Sequence, residues 1–118
     1  MKSNKTKAYT ARNTTGYNQF YRQYLLGIID KYAAQNIHVI YILPPFAFRM
    51  ETESQMLNLF ETLPEVNRVD MSSPLEFPEF YELSNRFDQA HLNGKGAELY
   101  TRKLVEKFKS IQDQLAYN

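Results

Sequence analysis

From Tyr17 to Gln35 the apolar side chains Tyr21, Leu25, Ile28 and Tyr32 recur every three to four positions, with Tyr24 and Ile29 widening the stripe. That is the period of an amphipathic helix, and Asn36 is placed as its C-terminal stop. The pattern then changes. Ile37 to Leu43 is apolar on both faces, which predicts a central, parallel strand covered on both sides, and Pro44 and Pro45 end it. After a loop from Phe46 to Met50, Met56, Leu59, Phe60 and Leu63 mark the buried face of a second helix over about Glu51 to Leu63. Thr52 and Gln55 have the spacing of a capping box at its start, and Pro64 stops it. Val66 to Met71 predicts a short second strand. Ser72 to Phe87 reads as a long loop, rich in Pro and aromatics, with a turn or two of helix around Pro78 to Leu83. A last helix begins near Gly94 behind Asn93, its stripe formed by Ala97, Tyr100, Leu104, Phe108 and Ile111.

Helix, strand, helix, strand and helix, joined by short connections, argue an α/β fold with a parallel sheet. Two strands are too few for it. A strand as apolar as Ile37–Leu43 would be left with an open edge, so the sheet is expected to continue in another segment or to be completed by association. Residues 1–16 carry Lys2, Lys5, Lys7 and Arg12 with no acid and read as a flexible basic arm, leaving 17–118 as the folded part.

Composition adds exclusions. The chain has 118 residues, 43% hydrophobic and 23% charged, as in globular proteins and unlike disordered ones. A formal net charge of +1 supplies no field for nucleic acid or an anionic membrane, and the basic arm lacks the interleaved aromatics of a nucleic-acid clamp. The absence of cysteine removes disulfides, thiolate nucleophiles and zinc–thiolate sites together. Two histidines without convergent acids do not suggest a metal site, and no cofactor is expected. No apolar run reaches the ~20 residues of a membrane span, and no apolar stretch follows the basic start as in a signal peptide.

The chemistry sits in Phe87-Asp88-Gln89-Ala90-His91-Leu92-Asn93-Gly94-Lys95-Gly96-Ala97. A carboxylate three residues before an imidazole, at a loop-to-helix junction, places Asp88 against one ring nitrogen of His91. The carboxylate then fixes the tautomer and stabilises the imidazolium, leaving the other nitrogen as a general base toward a serine hydroxyl. Asn93 fits the helix N-cap, and Gly94 and Gly96 would let the backbone turn tightly into the helix. The plain alternative for Asp88 and His91 is a surface ion pair in a helix-capping loop.

In this context the block resembles the last block of the SGNH/GDSL hydrolase superfamily, an Asp-x-x-His placed just before the final helix. Among bacterial cell-envelope members of that superfamily, His91-Leu92-Asn93 and a following glycine have their counterparts, and Ile37 to Pro45 is similar to the strand that precedes the block. The resemblance runs from about Tyr17 onward. It implies the C-terminal part of a flavodoxin-like three-layer α/β/α sandwich, and hydrolysis or transfer of an ester-linked acyl group on a cell-envelope carbohydrate or similar polymer. It implies Asp88 as the orienting acid and His91 as the general base, and a periplasmic or cell-envelope location. The superfamily's nucleophile and oxyanion-hole blocks have no counterpart here, since neither Gly-Asp-Ser nor Gly-x-Asn-Asp occurs. The missing Ser, Gly and Asn would have to come from an N-terminal half outside this chain.

Other positions have milder readings. Phe46, Phe48 and Arg49 follow the C-terminal end of a parallel strand, where α/β sheets bind ligands, and so are candidates for lining a substrate cleft; packing under the last helix is the alternative. His38 reads as a structural histidine. Ser72 and Ser73, beside Pro74, read as an ordinary turn and not as a nucleophile elbow. A non-catalytic module that binds a partner or glycan is the second functional reading. A flavodoxin-like regulatory module, with Asp70 as its one strand-end acid, is the third.

Overall fold

The computed structural model describes residues 16–45 and 50–117. The basic arm up to residue 15, and Phe46, Phe48 and Arg49, lie outside them. The elements are α1 (Gln19–Ala33), β1 (Tyr41–Leu43), α2 (Met50–Glu61), β2 (Arg68–Asp70) and α3 (Gly94–Ala116). Short 3-10 turns cover Glu65–Asn67, Pro78–Tyr81 and Leu83–Asn85. The fold is α/β in the broad sense, with β1 and β2 paired in parallel and Ile42 opposite Val69.

The helix ends follow the polar residues that mark them. Asn18 caps α1 by accepting from the Tyr21 amide at 3.0 Å. Asn36 adopts φ 61°, the left-handed conformation that Asn tolerates and that turns the chain out of a helix. Asn93 caps α3 by accepting from the Gly96 amide at 2.9 Å. Helix α2 begins at Met50, ahead of the start expected at Thr52, which lies inside its first turn.

Both strands are shorter than the apolar pattern predicts, and side chains explain why. The chain at Glu65–Asn67 curls into a 3-10 turn, so among the described residues no extended partner faces Ile37 to Ile40. His38 Nε2 instead donates to the Val66 carbonyl at 2.5 Å, and Asn67 Nδ2 donates to the Val39 carbonyl at 2.9 Å. These two bonds hold the segments together where a ladder would have run. His38 is the structural histidine its position suggested.

Alternation along the strands sorts the core into two clusters, one on each face of the sheet. Tyr41 and Leu43 join Leu57, Leu59, Phe60 and Leu63 of α2 and its C-terminal turn, with Leu25 and Leu26 of α1 packed against them. Val69 and Ile40 join Met71, Phe77, Phe80 and Ile111, with Leu99, Tyr100 and Leu104 of α3. Leu57, Met71 and Phe80 are completely buried, and truncating any of them to Ala costs about 2–5 kcal/mol.

The expectation that β1 is a central strand is not met among the described residues. Only β2 pairs with it, and its other edge opens into a groove of about 420 Å³. The groove touches Tyr41, Ile42 and Leu43 alike. Consecutive strand residues point to opposite faces, so a space that reaches all three runs along the strand edge. Its walls are Tyr21 and Leu25 of α1 and Met56 and Leu59 of α2. Tyr21 and Leu25 of the stripe predicted for α1 line this opening, and Tyr21 is 61% exposed.

Candidate active site

The path to Asp88 and His91 starts at the end of β2. Asp70 accepts from the Ser72 amide at 2.8 Å and from the Ser72 hydroxyl at 2.6 Å. Ser73 Oγ accepts from the amides of Leu75 and Glu76, both at 3.3 Å. Both serines are buried and occupied with their own turn, as expected for a turn and not for a nucleophile. The aromatic residues of the long loop then fold inward. Phe77 stacks on Phe80 at 5.0 Å between ring centroids, and Phe80 meets Tyr100 of α3 at 5.7 Å. That burial pushes the Tyr100 phenol up from its ordinary pKa.

The chain next makes a small antiparallel return. Arg86 and Leu92 form an isolated bridge, and the Phe87 amide donates to the His91 carbonyl at 3.0 Å. Asp88, Gln89, Ala90 and His91 make the tip. Asp88 Oδ1 accepts from the backbone amides of Ala90 and His91, each at 2.8 Å, which closes the tip as an Asx turn. The same carboxylate meets the His91 ring: Nδ1 lies 2.8 Å from Oδ1 and 3.0 Å from Oδ2. An ionised carboxylate only accepts, so Nδ1 carries the proton and Nε2 of the neutral ring presents its lone pair. Among the described residues no group bonds Nε2, and the His91 side chain is 72% exposed. The Ala90 amide first, and then the His91 ring, hold the Asp88 carboxyl below the usual carboxylate range.

The return is anchored to the helix start. The Asn93 amide donates to the Asn85 carbonyl at 3.0 Å, and Asn93 Nδ2 donates to the Ser84 carbonyl at 2.9 Å. Asn93 therefore caps α3 and fastens the loop ahead of it with one side chain. Gly96, already inside the helix, lies against the Asn85 carbonyl oxygen: a Cβ there would sit 2.1 Å from it. Its role is close approach between two backbones. Gly94 faces open space, so the expectation that both glycines serve a tight turn holds for neither.

Three side chains of the site escaped the sequence. Arg86 Nε donates to the Phe80 carbonyl at 2.7 Å and its Nη1 to the Gln89 carbonyl at 2.5 Å, with the guanidinium 4.8 Å over the Tyr81 ring. The Tyr81 hydroxyl donates to the Ser72 carbonyl at 2.5 Å. Asn85 Nδ2 donates to the Glu79 carbonyl at 2.9 Å. An arginine two positions before the acid was the one available sign, and it carries no signature by itself.

The pair can hold and move a proton at a solvent-facing nitrogen. Among the described residues no Ser, Thr or Tyr hydroxyl bonds His91, and no group of three His, Asp or Glu could hold a metal ion. Phe46, Phe48 and Arg49, placed by sequence near a substrate cleft, lie outside the described residues. No protein family, curated protein or solved structure matches the chain. No helix among the described residues is long and apolar enough to cross a membrane.

Proposed function

We propose that this chain contributes the acid and base of a serine ester hydrolase or acyltransferase of SGNH/GDSL type. Asp88 orients and His91 takes up the proton. The observation that carries the reading is the His91 ring itself, its Nδ1 on both oxygens of Asp88 and its Nε2 turned outward. In the reaction Nε2 accepts the proton of a serine hydroxyl as that oxygen adds to the ester carbonyl. The resulting imidazolium, stabilised by Asp88, returns the proton to the departing alcohol, leaving an acyl-serine. Water or an acceptor hydroxyl then releases the acyl group by the same steps in reverse roles. The resemblance of the Asp88–Ala97 block suggests an acylated carbohydrate or cell-envelope polymer as substrate.

The nucleophile and oxyanion donors come, on this reading, from a segment that completes the sheet as a flavodoxin-like three-layer sandwich. The free edge of β1 supports it: among the described residues only β2 pairs with that strand, and an apolar groove lies along its residues. A second copy of the chain is the other occupant such an edge would draw. A second functional reading, a non-catalytic module that binds a partner or glycan, is favoured by the two backbone amides on Asp88, which give that carboxylate a purely local task.

The test is hydrolysis of p-nitrophenyl acetate by the chain alone and by the chain fused, ahead of Tyr17, to a segment bearing a Gly-Asp-Ser strand. The chain alone should show little turnover, and the fusion should be active. His91→Ala should remove nearly all of the fusion's activity, and Asp88→Asn should lower it by about 10⁴. A folded fusion without activity favours the binding module. Activity indifferent to His91→Ala overturns the assignment.

A further inference from the structure

We propose that Arg86 is the positioning residue of the Asp88–His91 pair, its guanidinium fastening the inside of the Asp88–His91 turn to the loop that follows β2. The inference rests on the reading of that pair as an acid–base couple. It comes from three contacts of one side chain. Nη1 bonds the carbonyl of Gln89, which lies between the acid and the base; Nε bonds the carbonyl of Phe80; and the plane covers the Tyr81 ring.

Both ends of this link are anchored. Phe80 is completely buried in the α3-side core, and the Tyr81 hydroxyl holds the Ser72 carbonyl two residues past β2. Gln89 and Ala90, by contrast, are exposed and make no core contact of their own. The tip of the return has Asp88's local bonds to shape it, and Arg86 holds the Gln89 carbonyl between the two ends of those bonds, so it braces the turn as well as placing it. Its placement relative to the sheet, where an incoming serine must meet Nε2, depends on what ties the tip to the body. Among the described residues Arg86 supplies the one side-chain bond from the body to Gln89 or Ala90.

The contact set also explains the residue type. Two divergent N–H groups and a flat face that stacks on an aromatic ring are properties of a guanidinium, and an ammonium offers neither the fork nor the plane. Lys at this position keeps the charge and loses the bracket.

The experiment compares wild type, Arg86→Gln and Arg86→Lys in the chain as it stands, by amide hydrogen exchange and by NMR titration of the Asp88 carboxyl. Both variants should keep the far-UV spectrum. Exchange of the Ala90 and His91 amides, which Asp88 holds, should accelerate about tenfold, the effect of losing one hydrogen bond to a charged group. Amides of β2 should exchange as before. The Asp88 carboxyl should titrate higher, toward an ordinary carboxylate, in both variants. A general loss of stability would instead speed the β2 amides as well. Unchanged exchange at Ala90 and His91 with an unchanged Asp88 titration overturns the proposal. Should Arg86→Gln fail to fold, Arg86→Lys alone decides by the same two readouts, and full rescue by Lys counts against the proposal. Neither readout needs turnover, so a positioned but inactive pair would sink the enzymatic reading and leave Arg86's role standing.

Discussion

Gly96→Ala should destabilise the protein while Gly94→Ala, two residues away, does not. At Gly96 a Cβ would stand 2.1 Å from the Asn85 carbonyl oxygen, 3.1 Å from the Asn85 carbonyl carbon and 3.2 Å from Leu92 Cβ. Real Cβ atoms keep at least 3.0 Å, and the nearest neighbour is backbone, which has no rotamer to yield. Relief requires the Leu83–Asn85 turn to move off α3. Forced overpacking costs about 1–3 kcal/mol. Separation of the two backbones also stretches the bond from the Asn93 amide to the Asn85 carbonyl, worth about 1 kcal/mol, and disturbs the Asn93 cap, worth about another. Against this stands a gain of about 1 kcal/mol from replacing a helical glycine by alanine. The net is a loss of about 2–4 kcal/mol, and roughly 10 °C in Tm for a chain of this size. Gly94 has nothing within 4 Å of its added Cβ and no positive φ, so only the gain applies, about 0–1 kcal/mol. Urea unfolding of the three proteins reads both differences. Equal stability of Gly96→Ala and Gly94→Ala would refute the backbone-contact argument.

Two pH predictions follow from the shifted groups. Asp88 titrates lower when folded than when unfolded, so its bonds stabilise fully above the unfolded carboxylate pKa of about 3.9 and lose that contribution as pH falls through the folded value. Asp88→Asn should therefore flatten part of the acid limb of a stability-versus-pH curve below about pH 4, measured by urea midpoints; an unaltered limb would contradict the assignment. Tyr100 titrates higher when folded because it is buried, so its contribution is present below about pH 10 and is lost as pH rises through the folded value. Tyr100→Phe keeps the ring against Phe80 and should remove that part of the alkaline limb, with little change at pH 7.

The helices and two of their ends were legible because their causes are local. Asn36 and Asn93 act on the backbone within three residues of themselves, as does Asn18, which the apolar pattern did not single out, and the spacing from Asp88 to His91 fixes the pair within one turn. The strand lengths were not legible. Ile37 to Ile40 has strand-forming residues, but its partner segment turns at Glu65–Asn67, and His38 and Asn67 replace the ladder with side-chain bonds. At β1 the apolar pattern pointed to a strand covered on both sides, while among the described residues only β2 pairs with it and Ile42 faces the groove. Arg86 was invisible for a different reason. Its partners are the carbonyls of Phe80 and Gln89, and a carbonyl carries no residue identity for a sequence to display. Gly96 stood out as a glycine, but its reason, the Asn85 oxygen eleven residues earlier, is a tertiary contact.

The bonds of Asp88 separate into two sets, and the separation gives catalysis its own signature. Oδ1 receives the amides of Ala90 and His91, which would be present whatever side chain stood at position 91. The ring bond from His91 Nδ1 is not needed to close the turn, which the two amides close by themselves. His91→Ala should therefore leave the loop and the thermal midpoint nearly unchanged, because the ring is 72% exposed and buries little. Asp88→Ala should open the turn and speed exchange at Ala90 and His91, while Asp88→Asn, whose side-chain oxygen still accepts from both amides, should preserve it. The two backbone bonds make Asp88 matter for stability on either reading. What separates the readings is His91: a structural ion pair makes its ring matter for stability, whereas an acid–base pair makes it matter for rate. Thermal midpoints and exchange rates on these three variants, set beside the ester assay on the same substitutions, decide between them: a midpoint loss for His91→Ala as large as that for Asp88→Ala would mean that the imidazole is part of the loop's structure and not held there for its free nitrogen.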